Sequence, residues 1–266
     1  MPLRRALDTT AGAPTVHALA VDGSKPIVIC ENGLGSPLES WDWIEEELCE
    51  DFPVLRYHRR GYARTKSRLR PAQLLETLLR EIAPGRPIIF LSHSIGALIA
   101  ANAINESEEL RDRVVGLYML DGTDARLLKA SRDSPPSIGQ YRQMTMQEML
   151  ASVTGLNRWT VSKIERDVEY RPDIQRSYLV TSGGVRTLLS AQAEYLQEPL
   201  NGQEQLVDFQ IALHVLAAAD KVQQQENLAQ HLGASFGVID GSAHRSIIGR
   251  FHCAREVVRQ VREKYK

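Results

Sequence analysis

The 266-residue chain is long enough for one large α/β domain or two small ones. At this length a single fold buries roughly three quarters of the surface of its unfolded chain, so neither disulfides nor metals are needed to hold it together. Lys and Arg number 32 against 33 Asp and Glu, and 43% of residues are hydrophobic. That balance excludes a chain-wide basic footprint for nucleic acid and marks an ordinary globular protein. No apolar run approaches the ~18 residues of a membrane span, and MPLRRALDTTAGAP at the N-terminus lacks the apolar stretch of a secretory signal. Cys30, Cys49 and Cys253 are odd in number and far apart, which suits reduced thiols in a cytoplasmic protein.

Thr15–Val21 and Pro26–Cys30 read as two strands joined by an Asp22-Gly23 hairpin turn. Ser36–Asp51 places Leu38, Trp41, Ile44 and Leu48 on one helical face. Val54–Tyr57 is a short strand running into a basic, Gly-containing loop. A helix follows on Leu74, Leu75, Leu78, Leu79 and Ile82, stopped by Pro84-Gly85. Ile88–Leu91 is a strand-sized apolar run, Ile95–Ile104 an Ala-rich helix, and Val114–Leu120 another strand. This strand–helix rhythm predicts a mostly parallel sheet with helices on both faces.

Between about Ala125 and Leu206 no stretch has the pattern of a buried strand. Tyr141–Val153, Ser162–Glu169 and Val185–Leu196 are helical in pattern, punctuated by Pro135-Pro136, Pro172 and Gly183-Gly184. Strands resume at Ile211–Ala217 and Ser235–Ile239, and a last helix carries Ile247, Ile248, Phe251, Ala254, Val257, Val258 and Val261. The middle segment therefore reads as a helical insertion, dividing the chain into core residues 1–124, an insertion over 125–206, and core residues 207–266.

The stretch Ile88–Ala100, IIFLSHSIGALIA, runs from a strand through Ser92-His93-Ser94-Ile95-Gly96 directly into a helix. So tight a turn lifts the Ser94 hydroxyl clear of the backbone, beside a helix N-terminus that favours developing negative charge. The pentad alone is a weak pattern, and a serine there is otherwise a helix N-cap. Its setting between strand and helix strengthens the nucleophile reading. A serine nucleophile needs a base, and the base an orienting acid. Asp220 and His244 each follow a predicted strand, at the sheet edge where parallel sheets bind ligands. Asp121 and Asp124, after Val114–Leu120, are rival acids ranked behind Asp220.

Over nearly its full length the chain resembles the α/β-hydrolase superfamily. The residues that carry the resemblance are Glu31-Asn32-Gly33-Leu34-Gly35-Ser36, Tyr57-His58-Arg59-Arg60-Gly61-Tyr62, the Ser94 turn, Asp220 and His244. The resemblance implies an eight-stranded, mostly parallel sheet with an inserted helical lid. It implies Ser94 as nucleophile, His244 as base, Asp220 as acid, and the backbone N–H groups of Leu34 and Ile95 as an oxyanion hole. Asn32 stands where the family often has His, His58 where it often has Asp, and Ala63 and Ser92 where it often has Gly. Because the turn carries a serine, relatives that use an Asp nucleophile, such as epoxide hydrolases and haloalkane dehalogenases, are disfavoured.

The expected activity is hydrolysis of an ester, thioester or amide of a small, partly apolar molecule. Gly33, His93, Tyr141, Met149 and Trp159 are candidate substrate-binding residues. Met144, Met146 and their neighbours line a pocket or simply pack the lid. The basic loop Arg56–Lys66 reads as a solvated loop before an anion site, and Glu31 as a supporting or exposed group. A biosynthetic cyclase or lyase, an acyltransferase, and a receptor-like member with little turnover are the competing readings. With no Walker motif, no G-x-G-x-x-G and no clustered His/Cys/Asp ligands, no nucleotide, cofactor or metal is implied. The expected partner is a small-molecule substrate.

Overall fold

A computed structural model of the chain describes residues 4–7, 9–19, 24–156 and 168–265. Among the described residues eight strands form one sheet: β1 (Arg4–Leu7), β2 (Thr15–Ala18), β3 (Ile27–Glu31), β4 (Val54–Tyr57), β5 (Ile88–His93), β6 (Val114–Leu120), β7 (Ala212–Ala218) and β8 (Ser235–Ile239). Their order is β1-β2-β4-β3-β5-β6-β7-β8. β3 to β8 pair in parallel, whereas β2 is antiparallel to both β1 and β4.

The expected β2–β3 hairpin is not formed. β3 is buried on both faces and takes β4 on one edge and β5 on the other, leaving β2 to pair with the far side of β4. The residues of the expected Asp22-Gly23 turn lie outside those described.

Apolar side chains on both faces explain why the central strands are continuous hydrophobic runs. Because alternate residues point to opposite faces, Ile27 and Ile29 join Ile88 and Phe90 in one core layer, while Val28 and Cys30 join Ile89 and Leu91 in the other. Helices α1 (Asp42–Leu48), α2 (Pro71–Ile82), α3 (Gly96–Glu106) and α4 (Glu108–Arg113) connect the strands up to β6. Leu74, Leu78, Ala97 and Ala101 of α2 and α3 close the first layer. Trp41, Ile44 and Leu48 at α1 pack into the second together with Val257, Val258 and Val261 of the C-terminal helix.

Between β6 and β7 the described residues form helices and loops and no strand: α5 (Ala125–Arg132), α6 (Pro135–Thr154), α7 (Pro172–Ser182), α8 (Val185–Gln197) and α9 (Gly202–Gln205). Pro135-Pro136 and Pro172 start α6 and α7 rather than interrupt them, because Pro in the first turn sacrifices no helix hydrogen bond. Ser162–Glu169, expected to be helical, lies mostly outside the described residues, and Val168–Glu169 is not helical. Met144 and Met146 are exposed on α6.

After β7 come α10 (Val222–Leu232), β8, α11 (Ser246–Gly249) and α12 (Phe251–Tyr265). The expected last helix is thus split, because Arg250 takes an extended backbone between α11 and α12. Among the described residues no helix is long and apolar enough to cross a membrane. The strand order reverses at β3, so the loops after β3 and β5 diverge around a crevice at their carboxyl ends, where such sheets bind ligands.

Candidate active site

Ser94 occupies the one-step turn from β5 into α3 with φ +55°. A side chain in this left-handed region costs about 1–2 kcal/mol. Two bonds to the end of β6 hold it there: Ser94 N–H donates to Leu120 O at 3.2 Å, and Thr123 N–H to Ser94 O at 3.0 Å. Gly96 permits the turn to seat against β3, since a Cβ at this position would fall 2.5 Å from Glu31 O and 2.7 Å from Asn32 O. Ser92, where the family pattern often has Gly, is fully buried with its hydroxyl lacking a partner among the described residues.

His244, in the loop after β8, places Nε2 3.1 Å from Ser94 Oγ. Its Nδ1 bonds Asp121 Oδ2. The carboxylate only accepts, so Nδ1 carries the proton and Nε2 is left as an acceptor for the serine hydroxyl. Lys221 Nζ lies 3.2 Å from the same Asp121 oxygen. Burial alone would raise the Asp121 carboxyl, but the hydrogen bond and charge of His244, with Lys221 behind them, hold it below the ordinary carboxylate range.

His93 braces His244 from behind. Its Nε2–H donates to the His244 carbonyl at 2.7 Å, and the two rings lie 4.7 Å apart. Burial, reinforced by the His244 charge, pushes the His93 imidazole down to about 3, so it is neutral at physiological pH. Gly33 faces this ring so closely that a Cβ there would sit 2.7 Å from His93 Nδ1.

Asp220, expected as the acid, is not brought to His244. β7 ends at Ala218, and the tight turn after it, closed by Lys221 N–H to Ala218 O at 3.0 Å, leaves Asp220 exposed and sends Lys221 inward instead. Asp121 stands directly after β6, the strand paired with β5, and its φ of +46° and N–H bond to Leu216 O at 2.8 Å fix its direction. Asp124 is occupied otherwise: it caps α5 through Arg126 N–H at 2.8 Å and pairs with the Arg126 guanidinium.

A cavity of about 310 Å³ opens over Ser94 and His244, walled by Leu34, Ile95, Leu127 and Leu128, with Ser131 and Tyr195 adding hydroxyls. The backbone amides of Leu34 and Ile95, both in this wall, have no hydrogen-bond acceptor among the described residues. Tyr141 and Met149 do not line the cavity. Tyr141 stacks on Tyr195 at 3.9 Å and so braces the wall from outside. Gly33 and His93 likewise stand behind the wall, and Trp159 lies outside the described residues. Leu127, Leu128, Tyr195 and Lys221 were not legible as site residues, since nothing in their spacing marks them.

Two of the departures from the family pattern, Asn32 and His58, serve as loop supports. Asn32 donates to Tyr57 O at 2.8 Å and accepts from Trp41 Nε1 at 2.9 Å, while His58 Nε2 accepts the Leu38 amide at 3.0 Å. The basic loop is only partly solvated. Arg56 is buried against Glu45 at 2.6 Å, and Arg59 is buried against a fully buried Glu31.

A model of the alpha/beta hydrolase family matches residues 27–260. The chain belongs to this family. A protein of the same superfamily from Gibberella zeae is 22% identical over 173 residues, covering 61% of this chain and 49% of the relative, so the match spans about half of that protein's length. Among solved structures, a thermophilic esterase from Thermogutta terrifontis superposes with a TM-score of 0.70 at 16% identity, covering 100% of both chains. The enol-lactonase of Burkholderia xenovorans gives 0.63 at 18%, covering 98% of each chain. A candidate epoxide hydrolase from Pseudomonas aeruginosa gives 0.69 at 16%, covering 100% of this chain and 96% of that one. At such identities the likeness is one of fold, and the three neighbours differ in chemistry.

Proposed function

We propose that the chain is a serine hydrolase that cleaves an ester, thioester or amide of a small, partly apolar substrate. The observation that carries this reading is the contact of Ser94 Oγ with His244 Nε2 at 3.1 Å, on a ring whose other nitrogen is held by Asp121. Ser94 Oγ attacks the substrate carbonyl while its proton passes to Nε2, and Asp121 stabilises the imidazolium that forms. The carbonyl oxygen becomes an oxyanion, for which the Leu34 amide in the loop after β3 and the Ile95 amide at the N-terminal end of α3 are the available donors. Each such donor is worth a few kcal/mol of barrier. Nε2 then protonates the leaving group, and a water activated by the same nitrogen releases the acyl group from Ser94.

The serine at the turn favours this route over the direct attack of a carboxylate, because Ser94 must be deprotonated and a base stands at hydrogen-bond distance. The cavity's four apolar walls and its volume suit a small acyl group rather than a polymer. The helices over residues 125–206 act in this reading as the lid, since α5 and α8 supply Leu127, Leu128 and Tyr195 to the wall. Turnover of short p-nitrophenyl esters tests the proposal. Ser94→Ala abolishes it with an unchanged circular dichroism spectrum, and turnover surviving in that variant refutes the role of Ser94.

A further inference from the structure

Arg59 is 2% exposed and holds two carboxylates at once. Toward the sheet, Nη1 donates to Glu31 Oε1 at 2.5 Å and to Asn32 O at 2.7 Å, while Nη2 reaches Gly33 O at 3.3 Å. Toward the inserted helices, Nε and Nη2 form a two-pronged fork with the Glu194 carboxylate of α8, each at 2.8 Å. Tyr62 OH donates to Glu194 Oε2 at 2.6 Å and accepts the Gly35 amide at 3.0 Å. The loop that carries Leu34 is thus gripped by its carbonyls on one side of the residue and by an amide on the other. Both grips close on Glu194.

The rest of α8 is shaped for the same contact. Thr187, Ser190, Ala191 and Glu194 recur at helical spacing on one face. Thr187 Oγ1 accepts the Ala63 amide at 3.3 Å, and Ala191 lies over Gly35. Gly61 has φ +83°, and a Cβ there would fall 1.8 Å from Ser190 Oγ, so only glycine lets the helix sit this close. A buried bidentate pair is geometrically exacting, and it costs desolvation that a merely covering helix would not need.

We propose that Glu194 is a positioning residue: through Arg59 and Tyr62 it holds the residue 32–35 loop so that the Leu34 amide faces the carbonyl carbon's oxygen, making the docking of α8 and a competent oxyanion hole one event. The proposal rests on the serine-hydrolase reading for its catalytic consequence, but its structural part stands on the contacts alone. Glu194 never touches substrate in this account; it acts through the loop.

The test uses Glu194→Ala and Tyr62→Phe in the full chain. Glu194→Ala leaves Arg59 paired with Glu31, so the buried guanidinium keeps a counter-ion, and Tyr62→Phe removes the hydroxyl that links Gly35 to Glu194 and that also accepts Arg59 Nη2 at 3.2 Å. Amide hydrogen exchange of the peptide covering 33–36 is expected to quicken about tenfold or more in both, with α10 unchanged as the internal control. For a small ester, kcat falls about tenfold or more with KM little altered. Affinity for a trifluoromethyl ketone, whose adduct with Ser94 carries an oxyanion, falls by the same factor. Exchange and kcat at wild-type levels in either variant overturn the proposal. So does a rise in KM alone, which would make α8 a wall of the cavity and nothing more. Loosened exchange with full kcat also overturns it. If the wild-type chain shows no Ser94-dependent turnover, the serine-hydrolase reading fails instead, and the exchange arm still decides whether Glu194 holds the loop.

Discussion

Lys221 Nζ and His244 Nδ1 share one oxygen of Asp121, the ammonium lying 3.2 Å from Oδ2. The carboxylate's other oxygen is buried without a hydrogen-bond partner among the described residues, so these two donors carry its stabilisation. Asp121 is therefore held ionised by its neighbours against the pull of burial. A carboxyl depressed in this way contributes stability above its unfolded-state value and loses it as pH falls through the folded-state value.

Removing the ammonium weakens that hold. Lys221→Met is expected to lower stability at neutral pH and to shrink the part of it lost on acidification, because Asp121 then keeps only His244 as a donor and takes up its proton at a higher pH. Activity near pH 8 stays within a few-fold of wild type, since the His244–Asp121 bond remains. Urea midpoints measured from pH 7 down to pH 3 check this; equal losses in wild type and variant show that Lys221 does not stabilise the carboxylate.

His93 gives a second, independent pH signature. Its folded-state value of about 3 lies below the ordinary 6.5, so the unfolded chain binds a proton that the native state refuses. Stability therefore falls as pH drops through the window from 6.5 toward 3, by up to about 1.4 kcal/mol per pH unit from this group. His93→Gln, which keeps a donor for the His244 carbonyl, is expected to flatten that slope in urea midpoints measured across the window. His214, pushed down to about 4 by burial, remains in both proteins and contributes the same residual slope. Equal slopes in wild type and variant refute the assignment.

Ala63 sits at φ +47° where the family pattern often has Gly. Ala63→Gly relieves a left-handed alanine at about 1–2 kcal/mol, offset in part by the added freedom of the unfolded chain. The net expectation is a gain of up to about 1 kcal/mol, or roughly 2–4 °C in Tm. Differential scanning calorimetry decides it, and a lower Tm contradicts the strain argument.

The central strands were legible because burial on both faces writes itself as an unbroken apolar run: Ile88–Leu91 and Val114–Leu120 are strands as expected. The serine turn was legible for the same reason, being the junction of such a run with an Ala-rich helix. Elements at the margin were not. β1 is four residues long and half arginine, and α10 hides its buried Leu228, Ala229 and Leu232 behind the polar Gln223–Gln225. Nor could local pattern reveal that β4 separates β2 from β3, since pairing partners are chosen by which edges remain free.

The acid failed for a finer reason. Asp121, Asp124 and Asp220 all follow strands, and a one-residue difference in where β7 turns decides that Lys221 points inward and Asp220 outward. Arg59 and Glu194 lie 135 residues apart, and no periodicity connects them.

The proposed function has Ser94 activated by His244 and Asp121. Its most direct test is labelling with a fluorophosphonate probe, followed by peptide mapping, in wild type, Asp121→Asn and Asp220→Asn. Modification confined to Ser94, slowed about a hundredfold or more by Asp121→Asn and within about twofold of wild type in Asp220→Asn, is the predicted result. Labelling that survives Asp121→Asn but is lost in Asp220→Asn would contradict the assembly of these three residues.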